Sequence, residues 1–417
     1  MTKEFEYLTH AVACAARGVR MQKSDAELDW ERVMRLAREQ SAAFLLAYLL
    51  RKDKTMGCPP EIRAEWSSRL FQTVITANKQ RKNMLRLLAD MERDGFHPVL
   101  LKGYAAAACY AVPDSRISSD VDILIPPKEE ARACGWLRKK DFELFPRWTD
   151  GHHSVCTHPD YGRVELHVAL FDRMVTEVWF HEFREPLYDP KTLIRMETED
   201  GSFVTLGHTD HLLFMTLHMA KHFINGGMTL RMMLDAALYM TKHAPEIDFA
   251  RYWQVLTVLR YRELVNAALW AMIRYGGFTE ADFPGLDAEN AEQVNLLLSD
   301  VERSGWLGAN TPDESRESHL AYSEYMQQKA GFSRSARLKR KLGNGIRRIF
   351  PARVVLMRYC PDAAERWQLL PLAWGKHLLH GVKTVAKAQN MKTAPAQSEG
   401  VREPCSRVSL LKRLGVM

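Results

Sequence analysis

Asp120 and Asp122 stand two residues apart in an otherwise apolar run, Asp120-Val121-Asp122-Ile123-Leu124-Ile125. Aliphatic and β-branched residues over that length predict a strand, closed by Pro126-Pro127. Side chains at i and i+2 of a strand share a face. Like charges held that close repel each other, and a cation between them removes the conflict. Carboxylate oxygens at this spacing suit Mg²⁺, or Mn²⁺ in its place, a hard ion that keeps open positions for phosphate oxygens. The pair points to metal-assisted phosphoryl or nucleotidyl transfer.

The surrounding pattern predicts an α+β fold with an α/β core. Residues 1–95 read as helical, with a long amphipathic segment from about Glu61 to Asp94 stopped by Gly95. Pro98-Val99-Leu100-Leu101 is a short buried strand, Lys102-Gly103 ends it, and Tyr104 to Tyr110 reads as an Ala-rich helix. After the Asp pair, Lys128 to Lys140 is helical, and strands are expected at 154–158 and 163–170. From Thr209 the pattern is helical again, with His211–Phe223 and Leu230–Lys242 as the clearest segments. The expected organisation is an N-terminal helical region (1–95), the sheet core (96–205), a C-terminal helical domain (206–330), a basic and aromatic extension (331–385) and a polar, disordered tail (386–417).

Composition narrows the function classes. The net charge of +7 is mild, and the seven basic residues between Arg334 and Arg348, with no acidic one, are numerically enough to give it. A protein-wide nucleic-acid surface is thereby disfavoured. Seven dispersed cysteines without a C-x-x-C exclude a zinc ribbon and read as free thiols in a reducing compartment. Glu4 and Glu6 near the start argue against a signal peptide, and the longest apolar run, Ala42 to Leu50, is far shorter than the ~20 residues of a membrane span. The expectation is a cytoplasmic protein.

Transfer chemistry also needs phosphate donors and a third acid. Glu165, a lone acid in the apolar run Val164-Glu165-Leu166, suits the third position. Lys102-Gly103 at a strand-to-helix junction offers an ammonium and a flexible backbone to phosphates. Arg116, four residues before Asp120, presents a fork for phosphate oxygens. Each piece alone is common in ordinary strands and turns; the ordered set inside one block is not.

That ordered set, Val99-Leu100-Leu101-Lys102-Gly103, Arg116, Ser119-Asp120-Val121-Asp122 and Val164-Glu165-Leu166-His167, resembles the uncharacterised bacterial nucleotidyltransferases of the DNA polymerase β superfamily. His218, His222, Arg231 and Asp235 extend the resemblance, which covers about residues 25 to 245. It implies a small mixed sheet flanked by helices, with Mg²⁺ and a nucleoside triphosphate such as ATP. Asp120, Asp122 and Glu165 would be the catalytic, metal-binding carboxylates, with Lys102, Gly103, Arg116 and Ser119 binding the nucleotide. The superfamily's usual Gly-Ser at the helix start is Lys102-Gly103 here, so the hydroxyl that commonly holds the triphosphate is missing at that position.

Other features admit more than one use. His218 and His222, with His208 and His211 just before them, lack a third zinc ligand in sequence and read as polar core or a nucleotide-cleft wall with Lys221 and Arg231. His152-His153 reads as surface, or as the acceptor side. The Arg334–Arg348 cluster reads as a basic amphipathic helix, either a plain solvated face or a surface for an anionic membrane or nucleic-acid phosphates, and the aromatic residues behind it, to 375, suggest docking on a membrane surface (peripherally, at the inner membrane) or on a partner. The leading expectation is transfer of a nucleoside monophosphate from an NTP to an acceptor hydroxyl on a small molecule, glycan, protein or RNA. A catalytically degenerate binding scaffold and an RNA-directed transferase are the alternatives.

Overall fold

The computed structural model describes residues 1–21, 27–118, 120–147, 151–171, 190–305, 321, 322, 325, 342, 346, 349–364, 366–391 and 407–417. Three helices open the chain: α1 (Lys3–Arg17), α2 (Trp30–Glu39) and α3 (Ala43–Lys52). Acidic Glu4 and Glu6 at the start of α1 and Arg17 at its end complement the helix dipole. Gly18 closes α1 in the left-handed conformation (φ 70°), where an added Cβ would come 2.8 Å from Ala111. Asp29 caps α2 by accepting from Arg32 N at 3.0 Å.

Helix α4 (Pro60–Arg93) starts with proline at its first turn and runs 34 residues, roughly 50 Å. Its first half buries Trp66 and Leu70 among the other helices, and its second half buries Met84, Leu87, Leu88 and Met91 against the sheet. It therefore ties two cores together.

The sheet has seven strands: β1 (Val99–Leu100), β2 (Asp120–Leu124), β3 (Glu143–Phe145), β4 (His153–His158), β5 (Gly162–His167), β6 (Ile194–Thr198) and β7 (Gly201–Thr205). Their order is β3-β4-β5-β2-β1-β7-β6. Pairs β2–β5 and β1–β7 are parallel and the rest antiparallel, a mixed sheet as expected. The two-residue period sorts the side chains. Leu100, Val121, Ile123, Val164, Leu166 and Phe203 pack toward α4 and α6 (Glu130–Arg138) in one core. The alternate residues, Asp120, Asp122, Glu165 and His167 among them, face the other way. The hairpin β6–β7 was not expected from sequence; its turn at Asp200-Gly201 is a legible signal there.

The helices after the sheet, α7 (His208–Asn225), α8 (Leu230–Lys242), α9 (Phe249–Val258), α10 (Arg262–Gly276) and α11 (Ala291–Ser304), share one hydrophobic core with α1–α3. The short α5 (Gly103–Ala107) lies beside α8. A C-terminal part comprises α12 (Arg353–Leu356), α13 (Leu370–Met391) and α14 (Arg407–Arg413). This corrects the expected disorder of 386–417 for the described residues: α13 reaches Met391, and Leu410, Leu411, Leu414 and Val416 are buried in the main core. Their spacing gives the terminal helix an apolar stripe, and Arg413 pairs with Glu292 of α11 at 2.7 Å. Most of the basic 334–348 segment lies outside the described residues. The six described cysteines are free, and Cys405 is not described.

Two consequences are measurable. Leu411 is fully buried, so Leu411→Ala should cost about 2–5 kcal/mol in urea unfolding, far more than an exposed tail position would. His211 is fully buried beside Thr205, and burial first, then neighbouring His208 and His243, pushes its pKa down to about 3. Its folded pKa lies below its unfolded value, so its stabilisation is complete above about pH 6.5 and is lost as pH falls. The loss of stability between pH 7 and pH 5 should therefore be about 2 kcal/mol smaller in His211→Gln than in the wild type, read from urea midpoints.

Candidate functional site

Parallel pairing of β2 and β5 sets Asp122 opposite Glu165 and Asp120 opposite Arg163. The three acids thus share one sheet face, on which Asp122 is 1% exposed and the other two are half-buried. Donor atoms of Asp122, Glu165 and His167 lie within 4.8 Å of one another. This face forms the floor of a cleft of about 680 Å³ that α7 and α8 wall with His218, Lys221, His222, Asn225 and Arg231.

The buried carboxylates are held by cations and imidazole. His167 Nε2 is 2.9 Å from Asp122 Oδ1 and 3.7 Å from Glu165 Oε2. Lys102 Nζ is 3.1 Å from Asp122 Oδ2, an ion pair off the hydrogen-bonding direction, so Oδ2 accepts no hydrogen bond although fully buried. Burial alone would raise the Asp122 pKa; Lys102 and His167 overcome it and hold the carboxyl below the usual range. Glu165 behaves likewise: burial opposes, but His167, His153 and Arg163 keep it ionised. Burial disfavours the charged form of His167, and its bonds to Asp122 and Glu165 outweigh that and raise its pKa. His153 and His222 are driven by burial down to about 4, and His218 well below its ordinary value, so these three are neutral at pH 7.

Lys102 itself is unusual. Leu101 N donates to Asp122 O at 2.9 Å, which brings the end of β1 against the acid strand, and Lys102 follows with φ 29°, a conformation rare for a side-chain-bearing residue. Its ammonium reaches His218 Nε2 at 3.1 Å as well as Asp122. Gly103 then opens α5 with Ser118 Oγ beside it, 3.3 Å from the position a Cβ would take. A serine hydroxyl therefore does stand at this turn, contributed by the loop before β2. Ser119 lies outside the described residues.

Arg116 is at the cleft but its fork is engaged. Nε and Nη2 donate to the two oxygens of Asp235 at 3.2 and 2.7 Å, and Tyr110 donates to Asp235 at 2.6 Å. Nη1 has no hydrogen-bond partner. Arg231, from the same helix as Asp235, donates to Ile117 O at 2.6 Å. Two guanidinium groups thus flank one carboxylate where α8 meets the loop before β2.

The histidine expectations separate. His218 and His222 line the cleft with Lys221 and Arg231, as one of the two readings held. His208 and His211 do not join them; His208 bonds Tyr239 and His211 faces Thr205. His152 and His153 both line the cleft: His152 is 6% exposed, and half-buried His153 lies 3.5 Å from Glu165. Tyr110 was missed, because a tyrosine at the end of a short helix carries no sequence signal for its distant partner. A smaller pocket, lined by Arg81, Tyr104 and Tyr161, adjoins the cleft at Asp120, Ser118 and Arg163.

A family described as "Uncharacterised nucleotidyltransferase" matches residues 26–275. The chain belongs to this family. Membership supports a generic nucleotidyltransferase function and a nucleotide substrate. Among solved structures, an antigenic nucleotidyltransferase-like protein from Paracoccidioides brasiliensis aligns with 17% identity and a TM-score of 0.33, over 50% of this chain and 97% of that one. No curated protein matches.

The Arg116–Asp235 pair generates a stability prediction for this nucleotidyltransferase-family chain. Asp235→Ala leaves the buried Arg116 guanidinium without its counter-ion and should cost about 3–5 kcal/mol. Tyr110→Phe removes one hydrogen bond from the same carboxylate and should cost about 1 kcal/mol. Chemical denaturation of both variants checks the ranking.

Proposed function

We propose that this nucleotidyltransferase-family protein moves a nucleoside monophosphate from an NTP, ATP among them, to an acceptor hydroxyl, with Mg²⁺ or Mn²⁺ as cofactor. The observation that carries the reading is the register of β2 against β5, which puts Asp122 and Glu165 side by side with Asp120 on the same face. The donor set fits a hard divalent ion: carboxylates, one of them with a buried oxygen that accepts no hydrogen bond. When bound, such an ion supplies Lewis-acid stabilisation of charge on the transferring phosphoryl group.

The chain's own residues supply position and field. Asp122 and Glu165, both held ionised, are the ligands. Lys102, Arg231 and the free Nη1 edge of Arg116 offset phosphate charge, and Ser118 with the backbone at Gly103 replaces the superfamily's serine at the triphosphate turn. The acceptor oxygen attacks the α-phosphorus in line, pyrophosphate leaves, and half-buried Asp120, shared by the two cavities, takes the acceptor proton. Glu165 suits the ligand role better than the base role, because a carboxylate with a lowered pKa is a weak proton acceptor. Catalysis of this kind rests on positioning and electrostatics. In this reading 96–205 is the catalytic core, framed by helical regions 1–95 and 206–330, in a cytoplasmic setting that suits the free cysteines.

A second reading, a binding protein without turnover, has one observation in its favour. The Lys102 ammonium 3.1 Å from Asp122 Oδ2 neutralises the acid in the way a bound cation does. Pyrophosphate release and thermal shift separate the two. With Mg²⁺ and NTPs, the wild type should release pyrophosphate and gain thermal stability. Asp122→Asn should lose at least about 100-fold in rate with its unfolding midpoint retained. Wild-type turnover unchanged in that variant would overturn the assignment; nucleotide binding without turnover in the wild type would select the second reading.

A further inference from the structure

We propose that the C-terminal extension docks the protein on an anionic membrane surface, with α13 lying in the interface. Two independent observations converge on that segment. Among the described residues, nine of the fourteen exposed large hydrophobic side chains fall between 342 and 379. Between residues 334 and 392 the sequence holds fourteen Lys and Arg against two acidic residues, Asp362 and Glu365. No helix among the described residues is long and apolar enough to cross a membrane, so the proposal is one of surface docking.

The helix geometry gives the apolar side chains a common direction. Leu372 and Leu379 are seven residues apart and Trp374 and Leu378 four apart, which places them on one broad arc. They are 53%, 64%, 37% and 48% exposed. Lys376 is exposed at the edge of that arc, and buried Ala373 marks the opposite side, where α13 rests on Leu356 and Cys360. Phe350 packs edge to face on Trp374 and is itself exposed. An apolar arc edged by a lysine and carrying tryptophan is the pattern of an interfacial helix.

Charge complementarity selects the occupant. The excess of positive charge favours a polyanionic surface, which leaves lipid or nucleic acid. Leucine side chains find no favourable partner on a phosphate backbone, whereas acyl chains accept them, so lipid is the better fit. The platform is fixed to the sheet: Val354, Val355 and Met357 are buried in the same core as α6 and the apolar face of β2. A docked extension would therefore hold the cleft at a constant position over the membrane and favour acceptors presented there.

The test is co-sedimentation of the full chain with vesicles of phosphatidylcholine alone or mixed with about one-third phosphatidylglycerol. The protein should pellet with the anionic vesicles only, less so as salt rises. Leu372→Glu/Leu379→Glu, both at exposed positions, should reduce the bound fraction at least about tenfold while the unfolding midpoint is unchanged. Vesicle binding needs no nucleotide, so it stands or falls separately from the transfer reaction. Failure to pellet, equal pelleting with neutral vesicles, or binding indifferent to the double variant overturns the proposal. Salt-sensitive RNA binding that the leucine variants leave intact, with no vesicle binding, assigns the surface to nucleic acid and also overturns it.

Discussion

The site depends on one pairing, the parallel register of β2 and β5. Alternation along each strand sends Val121, Ile123, Val164 and Leu166 into the apolar core and leaves Asp122, Glu165 and His167 together on the other face. A slip of one residue would bury the acids among leucines and expose the valines, at a cost no local contact offsets. The hydrophobic core therefore fixes the acids in place.

Buried acids need compensation, and the fold brings it from three directions. Lys102 arrives from β1, His167 from β5 itself, and His153 from the antiparallel neighbour β4. Across the cleft, Arg116 pairs with Asp235 and Arg231 donates to Ile117 O, so both connect the loop before β2 to α8. The result is a cleft with carboxylates on its floor and cationic side chains on its walls. That polarity is what the proposed transfer reaction asks of its site.

Much of the frame was legible in the sequence. The 34-residue α4, the Asp strand and the Glu165 strand each carry strong periodicity, and their observed bounds lie near the expected ones. The edge hairpin β6–β7 and the short β3 were harder, since edge strands with one exposed face have weak patterns. The terminal helix was hidden by the polar stretch before it: composition averaged over 386–417 masks the four apolar residues that anchor its end. The role of Arg116 illustrates a different limit. Its nearness to the Asp strand in sequence suggested a phosphate ligand, while its fork is turned to Asp235, 119 residues away.

By itself the sequence determined that Asp120, Asp122 and Glu165 stand on polar strand faces, because a two-residue period and a strong apolar pattern leave one arrangement. It also determined the concentration of positive charge near the C-terminus. Only the tertiary structure decided which cations answer the buried acids, that Ser118 stands at the Gly103 turn, and that His152, His153, His218 and His222 converge on one cleft. Those are contacts between segments far apart in the chain, set by how helices close over the sheet, and no local pattern encodes them.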